Sequence, residues 1–280
     1  AATAYAAIVR ALPPPRAGGT AGVLPEIERC DQLRALLEMT TCVVLRDPND
    51  DTLGEGAQVV SAAAAAAAAP LSEAASTLLQ ACLVCAPPSL LQFPEVIVAY
   101  FEMLGAVVEV HPSCALSLPA ELCVGIDISL AAGITHYDIT IGRAALETTF
   151  KLARHAGSAD GRQSGPGIAT LILRMLRRVA LSLLAGALHP ELVDPPAANA
   201  LLALIAVAPD GWQGIVREVV GAQPNAEAQQ ATAQALGALL TSNGVSASLS
   251  KPNRTRFRAN LTELLKFTRR SRFAVPHVPS

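Results

Sequence analysis

Residues 90–155 read LLQFPEVIVAYFEMLGAVVEVHPSCALSLPAELCVGIDISLAAGITHYDITIGRAALETTFKLARH, and this stretch decides the fold. Within it apolar residues return every three or four positions, the period of a helix with one buried face. Strict alternation, the mark of a half-buried strand, is missing. The breaks are chemical. Pro94 opens a run that lasts to Glu109, and proline suits a first helical turn because its missing N–H would have no partner there. His111-Pro112 closes that run. A second run goes from near Pro119 to Gly133, and a third from about Tyr137 to His155.

The same grammar extends in both directions. Upstream, Cys30 to Arg46 reads as a helix with Leu33, Leu36, Leu37 and Val44 inward, stopped by Asp47-Pro48-Asn49-Asp50. Another spans about Ser72 to Cys85 and ends at Pro87-Pro88. Downstream, helices are expected over Pro166–Leu188, Pro195–Val207, Gly211–Val220, Asn225–Leu240 and Lys251–Arg270. Composition agrees: 51% of residues are hydrophobic but only 4% aromatic. The difference is largely alanine, which loses no side-chain entropy in a helix and lets helices approach closely. The ends differ from the rest. Residues 1–25, with Pro13-Pro14-Pro15 and Gly18-Gly19, read as a disordered or linker arm. Residues 271–280 read as a polar tail, and a low-complexity insert near 57–70 contains the alanine run Ala62–Ala69. The first residue is Ala1, which suggests a piece of a longer chain.

Several function classes are disfavoured. The cysteines Cys30, Cys42, Cys82, Cys85, Cys114 and Cys123 are scattered through apolar helical patterns. They are expected as reduced core thiols rather than as a disulfide framework. Cys82-x-x-Cys85 has metal spacing, but no second pair follows it, so no metal is expected. Ala74 to Pro94 carries no charge, yet Pro87-Pro88 splits it below the ~20 apolar residues of a membrane span, and no membrane insertion is expected. His136 and Asp138 are close in sequence without a nucleophile beside them. The glycine-rich Gly161–Gly167 follows a helix instead of a strand. The expectation is a protein that is not an enzyme and needs no cofactor.

Charge is distributed unevenly. No Lys or Arg occurs from Asp47 to Tyr137, a segment that holds ten acids, whereas Lys251 to Ser280 holds eight bases and one acid. Such asymmetry bears on partners rather than on fold. On the helix opened by Pro94, Glu95, Glu102 and Glu109 stand seven apart, hence on one stripe. Ala99 and Ala106 lie between them, and Ile97, Val98, Phe101, Leu104 and Val108 lie on another face. An acidic stripe in a base-free segment is a candidate binding surface for a basic protein cargo. The plainer reading is a solvated face. Arg174, Arg177 and Arg178 cluster on a Leu- and Ile-rich helix and could pair with acids on the next repeat or meet an acidic partner. The last helix places Phe257, Leu261, Leu264, Leu265 and Thr268 inward and its bases outward. This is the pattern of a terminal cap; nucleic acid is not expected as a partner, because interleaved exposed aromatics are missing.

About ten helices separated by short Pro or Gly breaks, at about 35–45 residues per pair, predict an all-α, HEAT-like helical-repeat superhelix, an α-solenoid, over residues 26–270. A compact helical bundle is the alternative. Three stretches within Leu90–His155 carry a resemblance to a known family: LLQFPEVIVAYFEMLGAVVEVHP, LSLPAELCVGIDISLAAGITHYD and RAALETTFKLARH. NALLALIAVAPDGWQGIVREVVGAQ and KPNRTRFRANLTELLKFTRR continue it. Together they resemble the C-terminal HEAT repeats of the exportin branch of the importin-β superfamily, over Glu26 to Phe273. The alanine run and the tail after Arg270 depart from the pattern. The resemblance implies a karyopherin that binds cargo with Ran-GTP and exports it through the nuclear pore, shuttling between nucleus and cytoplasm. It implies contacts with nuclear pore proteins, and Ran-GTP binding through repeats that this chain lacks. It also implies cargoes such as the hypusine-bearing translation factor and Smad and Sox proteins. A HEAT-repeat scaffold or adaptor without a transport role is the alternative function.

Overall fold

The computed structural model describes residues 23–45, 75–84, 86, 93–158, 165–271 and 274–276, and all regular structure among them is helical. The chain divides into two compact units, Ala1–Ser129 and Leu130–Ser280.

The first unit contains α1 (Val23–Leu45), α2 (Ala75–Val84), α3 (Pro94–Val110), α4 (Pro112–Leu116) and the beginning of α5 (Ala120–Ile134). Its centre is the packing of α1 on α3. Leu33, Leu36, Leu37 and Val44 are buried from α1, and Ile97, Phe101, Leu104 and Val108 from α3, while Val98 is only half-buried. Tyr100 and Phe101 meet edge to face with ring centroids 5.4 Å apart. The Tyr100 hydroxyl accepts from Ser129 Oγ of α5 at 2.9 Å. Burial pushes the phenol above its ordinary range, so the pair is a neutral, satisfied hydrogen bond inside an apolar core.

The second unit holds the end of α5, then α6 (Ile139–Ala156), α7 (Pro166–Leu184), α8 (Pro190–Leu192) and a wide turn at Val193–Ala197. It continues with α9 (Ala198–Val207), α10 (Pro209–Gly221), α11 (Ala226–Thr241) and α12 (Lys251–Arg270). Caps set these helices. Asp138 Oδ1 accepts from Thr140 N at 2.8 Å, and Asn225 Oδ1 accepts from Ala228 N at 2.8 Å, each satisfying an orphan first-turn donor. Proline starts α3, α4, α7, α8 and α10. α7 ends four residues before the expected Leu188. Gly186 takes a left-handed φ of 67°, and Ala187 N bonds Ser182 O at 2.9 Å, a Schellman closure that forbids a further turn.

Helix α9 is the hub. It packs against α6, α7, α10 and α12, and Ala200 to Ile205 are all buried. α6 packs on α9 and α7 on α10, so one pair of successive helices lies on the next. The step is not repeated a second time, because α11 packs on α10 while α12 packs on α9 and α7. Close approach has a sequence cause at Gly142, where a Cβ would stand 2.6 Å from Leu192 Cδ1. Pro190–Val207 meets the length and hydropathy of a membrane span, with 56% of it buried, but Asp194 (φ −131°, ψ 118°) interrupts the helix.

Some expectations need correction. α1 begins at Val23, not Cys30, so it enters the stretch read as an arm; Pro25 is tolerated there because it falls in the first turn. α9 begins at Ala198, not at the expected Pro195, which lies in the wide turn Val193–Ala197; in the stretch read as a polar tail, Ala274–Pro276 are half-buried. The alanine run and Cys85 lie outside the described residues.

Candidate functional site

Helix α3 carries the acidic row. Proline at its first position and the buried face fix its rotation, and that rotation leaves Glu95, Glu102 and Glu109 exposed together. The alanines between them do not edge an open surface. Ala99 and Ala106 are buried, so the row is narrow and flanked by covered helix. The row also has a cation that the sequence reading missed. Arg34 of α1 reaches Glu95 Oε2 at 2.5 Å, and its Nε lies 3.3 Å from Glu38. Arg34 stands upstream of the base-free segment, 61 residues from Glu95, so no local window contains the pair. A hollow of about 220 Å³ lies at this end of the row, lined by Cys30, Arg34, Phe93 and Glu95. The row can attract a cationic surface.

The second unit uses its charges differently. Arg177 of α7 grips Glu218 of α10 with both guanidinium nitrogens, Nη2 to Oε1 at 2.7 Å, as the clustered arginines suggested. The hydrogen bonds from Arg177 hold the Glu218 carboxyl below the ordinary carboxylate range. On α12, Phe257, Leu261, Leu264, Leu265 and Thr268 are buried as expected. Its bases are partly engaged: Arg258 pairs with Asp194, Lys266 Nζ meets Glu263 at 2.8 Å, and Arg254 lies 5.7 Å over the Phe150 ring of α6. Lys251, Arg269 and Arg270 are exposed.

The remaining candidates have structural roles. Cys82, Cys114 and Cys123 are buried, Cys82 with Sγ 3.5 Å from Thr40 Oγ1, whereas Cys30 is half-buried and Cys42 exposed, so not all of these thiols belong to the core. His136 Nδ1 accepts from Asp138 N at 3.0 Å, and Asp138 in turn caps α6. Gly165 is the residue before α7, while 161–164 lie outside the described residues.

Three polar side chains escaped the sequence reading. Asn253 and Asn260 sit on the buried face of α12. Asn253 accepts from Ser246 N at 2.9 Å and donates to Ser246 O at 2.7 Å. Asn260 donates to Leu239 O and Ser242 O and accepts from Asn243 Nδ2 at 2.6 Å. Both fall in step with Phe257 and Leu264, and an amide on an apolar face was the available signal. Gln223, after α10, offered none. Comparison of the chain with family models, curated proteins and solved structures gives no match.

Proposed function

We propose that this chain is a C-terminal stretch of an exportin of the importin-β superfamily, resembling exportin-4, and that it binds a basic protein cargo on the α3 face. The observation that carries the reading is the exposed row Glu95, Glu102 and Glu109, set in a segment without Lys or Arg. The all-helical fold and the stacking of the α6–α7 pair on α9–α10 favour a HEAT-like solenoid. In this reading the protein shuttles between nucleus and cytoplasm, meets nuclear pore proteins, and contacts Ran-GTP through repeats outside this chain. It has no catalytic role, no cofactor, no nucleic acid partner and no membrane insertion. Arg34 narrows the surface at its Glu95 end.

The test is association kinetics with the hypusine-bearing translation factor as the basic probe, at low and physiological salt. One-sign surfaces chiefly raise encounter rates, and salt screens them. Replacing Glu95, Glu102 and Glu109 by Gln should slow association several-fold at low salt and flatten its salt dependence. Identical rates at both salts would remove the row from the binding surface. A separate titration with Ran-GTP should give at most weak binding to this chain; micromolar affinity would overturn the assignment of Ran contacts to other repeats.

A further inference from the structure

Beyond α12 the chain turns back onto the second unit, and one residue of it is held by its backbone. Gln223, 5% exposed, donates from Nε2 to Ala274 O at 2.8 Å and accepts at Oε1 from Ala274 N at 3.3 Å. A second bond from the same Nε2 to Val219 O at 2.7 Å fixes the amide. One buried side chain thus reads both backbone groups of a single residue, as the edge of a sheet would, whatever side chain that residue carries. The next residue, Val275, is pressed toward extended geometry by Pro276. It lies at a groove of about 750 Å³ framed by Leu183, Leu188, Val193, Leu265 and Arg269. That volume is within the ~300–1,000 Å³ of ordinary ligand pockets. Arg269 lines the groove, it and the adjacent Arg270 are exposed, and Ala274–Pro276 offer them no acid.

We propose that this groove is a peptide-binding site, that its partner is an extended acidic peptide, and that Ala274–Val275 is an intramolecular placeholder for it. Gln223 binds the backbone of the incoming peptide, the apolar floor takes a β-branched side chain, and Arg269 and Arg270 take the flanking acids. The placeholder supplies the shape and the backbone but no acid, so an acidic competitor gains contacts that the tail lacks. The proposal does not depend on a transport role.

The experiment titrates the whole chain with a fluorescent synthetic peptide, Asp-Asp-Ala-Val-Pro-Asp-Asp, followed by anisotropy, with a lysine-flanked peptide as control. The aspartate peptide should bind and the lysine peptide should not. Val275→Gly, which loosens the placeholder without touching the core, should tighten binding several-fold by removing competition. Gln223→Ala removes the same bonds from the tail and from the peptide, so the gain produced by Val275→Gly should shrink or vanish in that background. Amide exchange at Ala274 should accelerate as peptide is added. Equal binding of the two peptides, indifference to Val275→Gly, or binding while Ala274 stays protected would each overturn the proposal.

Discussion

The two units differ in how many of their surface charges are paired across helices. In the second, ionic groups are tied across helices: Arg177 to Glu218 joins α7 to α10, and Arg258 of α12 reaches Asp194 in the turn before α9. In the first, Arg34 of α1 pairs with Glu95 of the α3 row, while Glu102 of the same row faces solvent. The contrast separates two uses of a charge. One that is hydrogen-bonded across two helices helps define how they sit. One turned to solvent adds little to stability and acts on whatever approaches.

The largest expected effect tests whether the buried faces beneath these surfaces are equivalent. Phe101 and Phe257 are both essentially inaccessible, so Phe101→Ala and Phe257→Ala should each cost about 3–5 kcal/mol in urea unfolding. A loss below about 1 kcal/mol for either would mean that its helix is not held by its apolar face. Next comes Asn260→Ala, which takes the amide donor from the carbonyls of Leu239 and Ser242, the second of which still accepts from Val245 N, and should cost about 1–3 kcal/mol. A neutral result would show that water replaces the amide.

Smaller still is the pH response of the Arg177–Glu218 pair. The folded pKa of Glu218 is lowered by Arg177, so the stability it contributes is present above the unfolded carboxylate value and lost as pH falls through the folded one. Both side chains are about a third exposed or more, so the effect should stay below about 1 kcal/mol. Thermal melts of wild type and Glu218→Gln from neutral to acid pH should converge at the acid end. Parallel curves would remove the pair from the account. Least of all, changing Glu95, Glu102 and Glu109 to Gln should leave stability within about 0.5 kcal/mol, the range of ordinary surface changes. A loss of 2 kcal/mol or more would make the row structural and erase the contrast between the units.

Much of the helix plan was legible because its causes are local. Prolines that cannot donate an N–H start α3 and α7 where expected, whereas α10 starts at Pro209, two residues before the expected Gly211, and the inward sets of α1 and α12 follow from spacing on one helix. The short α4 and α8 were not legible, because helices of 3 or 5 residues leave no period to detect. The exposure of the glutamates followed from the seven-residue spacing. The burial of Ala99 and Ala106 did not, because it depends on what α3 packs against.

The sequence alone therefore determined that the chain is built of helices, where most of them break, and which side of each is apolar. Those properties belong to windows of a few residues, in which φ restriction, caps and side-chain period act. Tertiary structure alone decided that Arg34 would interrupt the acidic row, that Gln223 would clamp Ala274 from 51 residues away, and that α12 would close on α9 and α7. Each of these joins groups far apart in the chain, and which groups meet is set by the mutual fit of whole faces. No single segment carries that information.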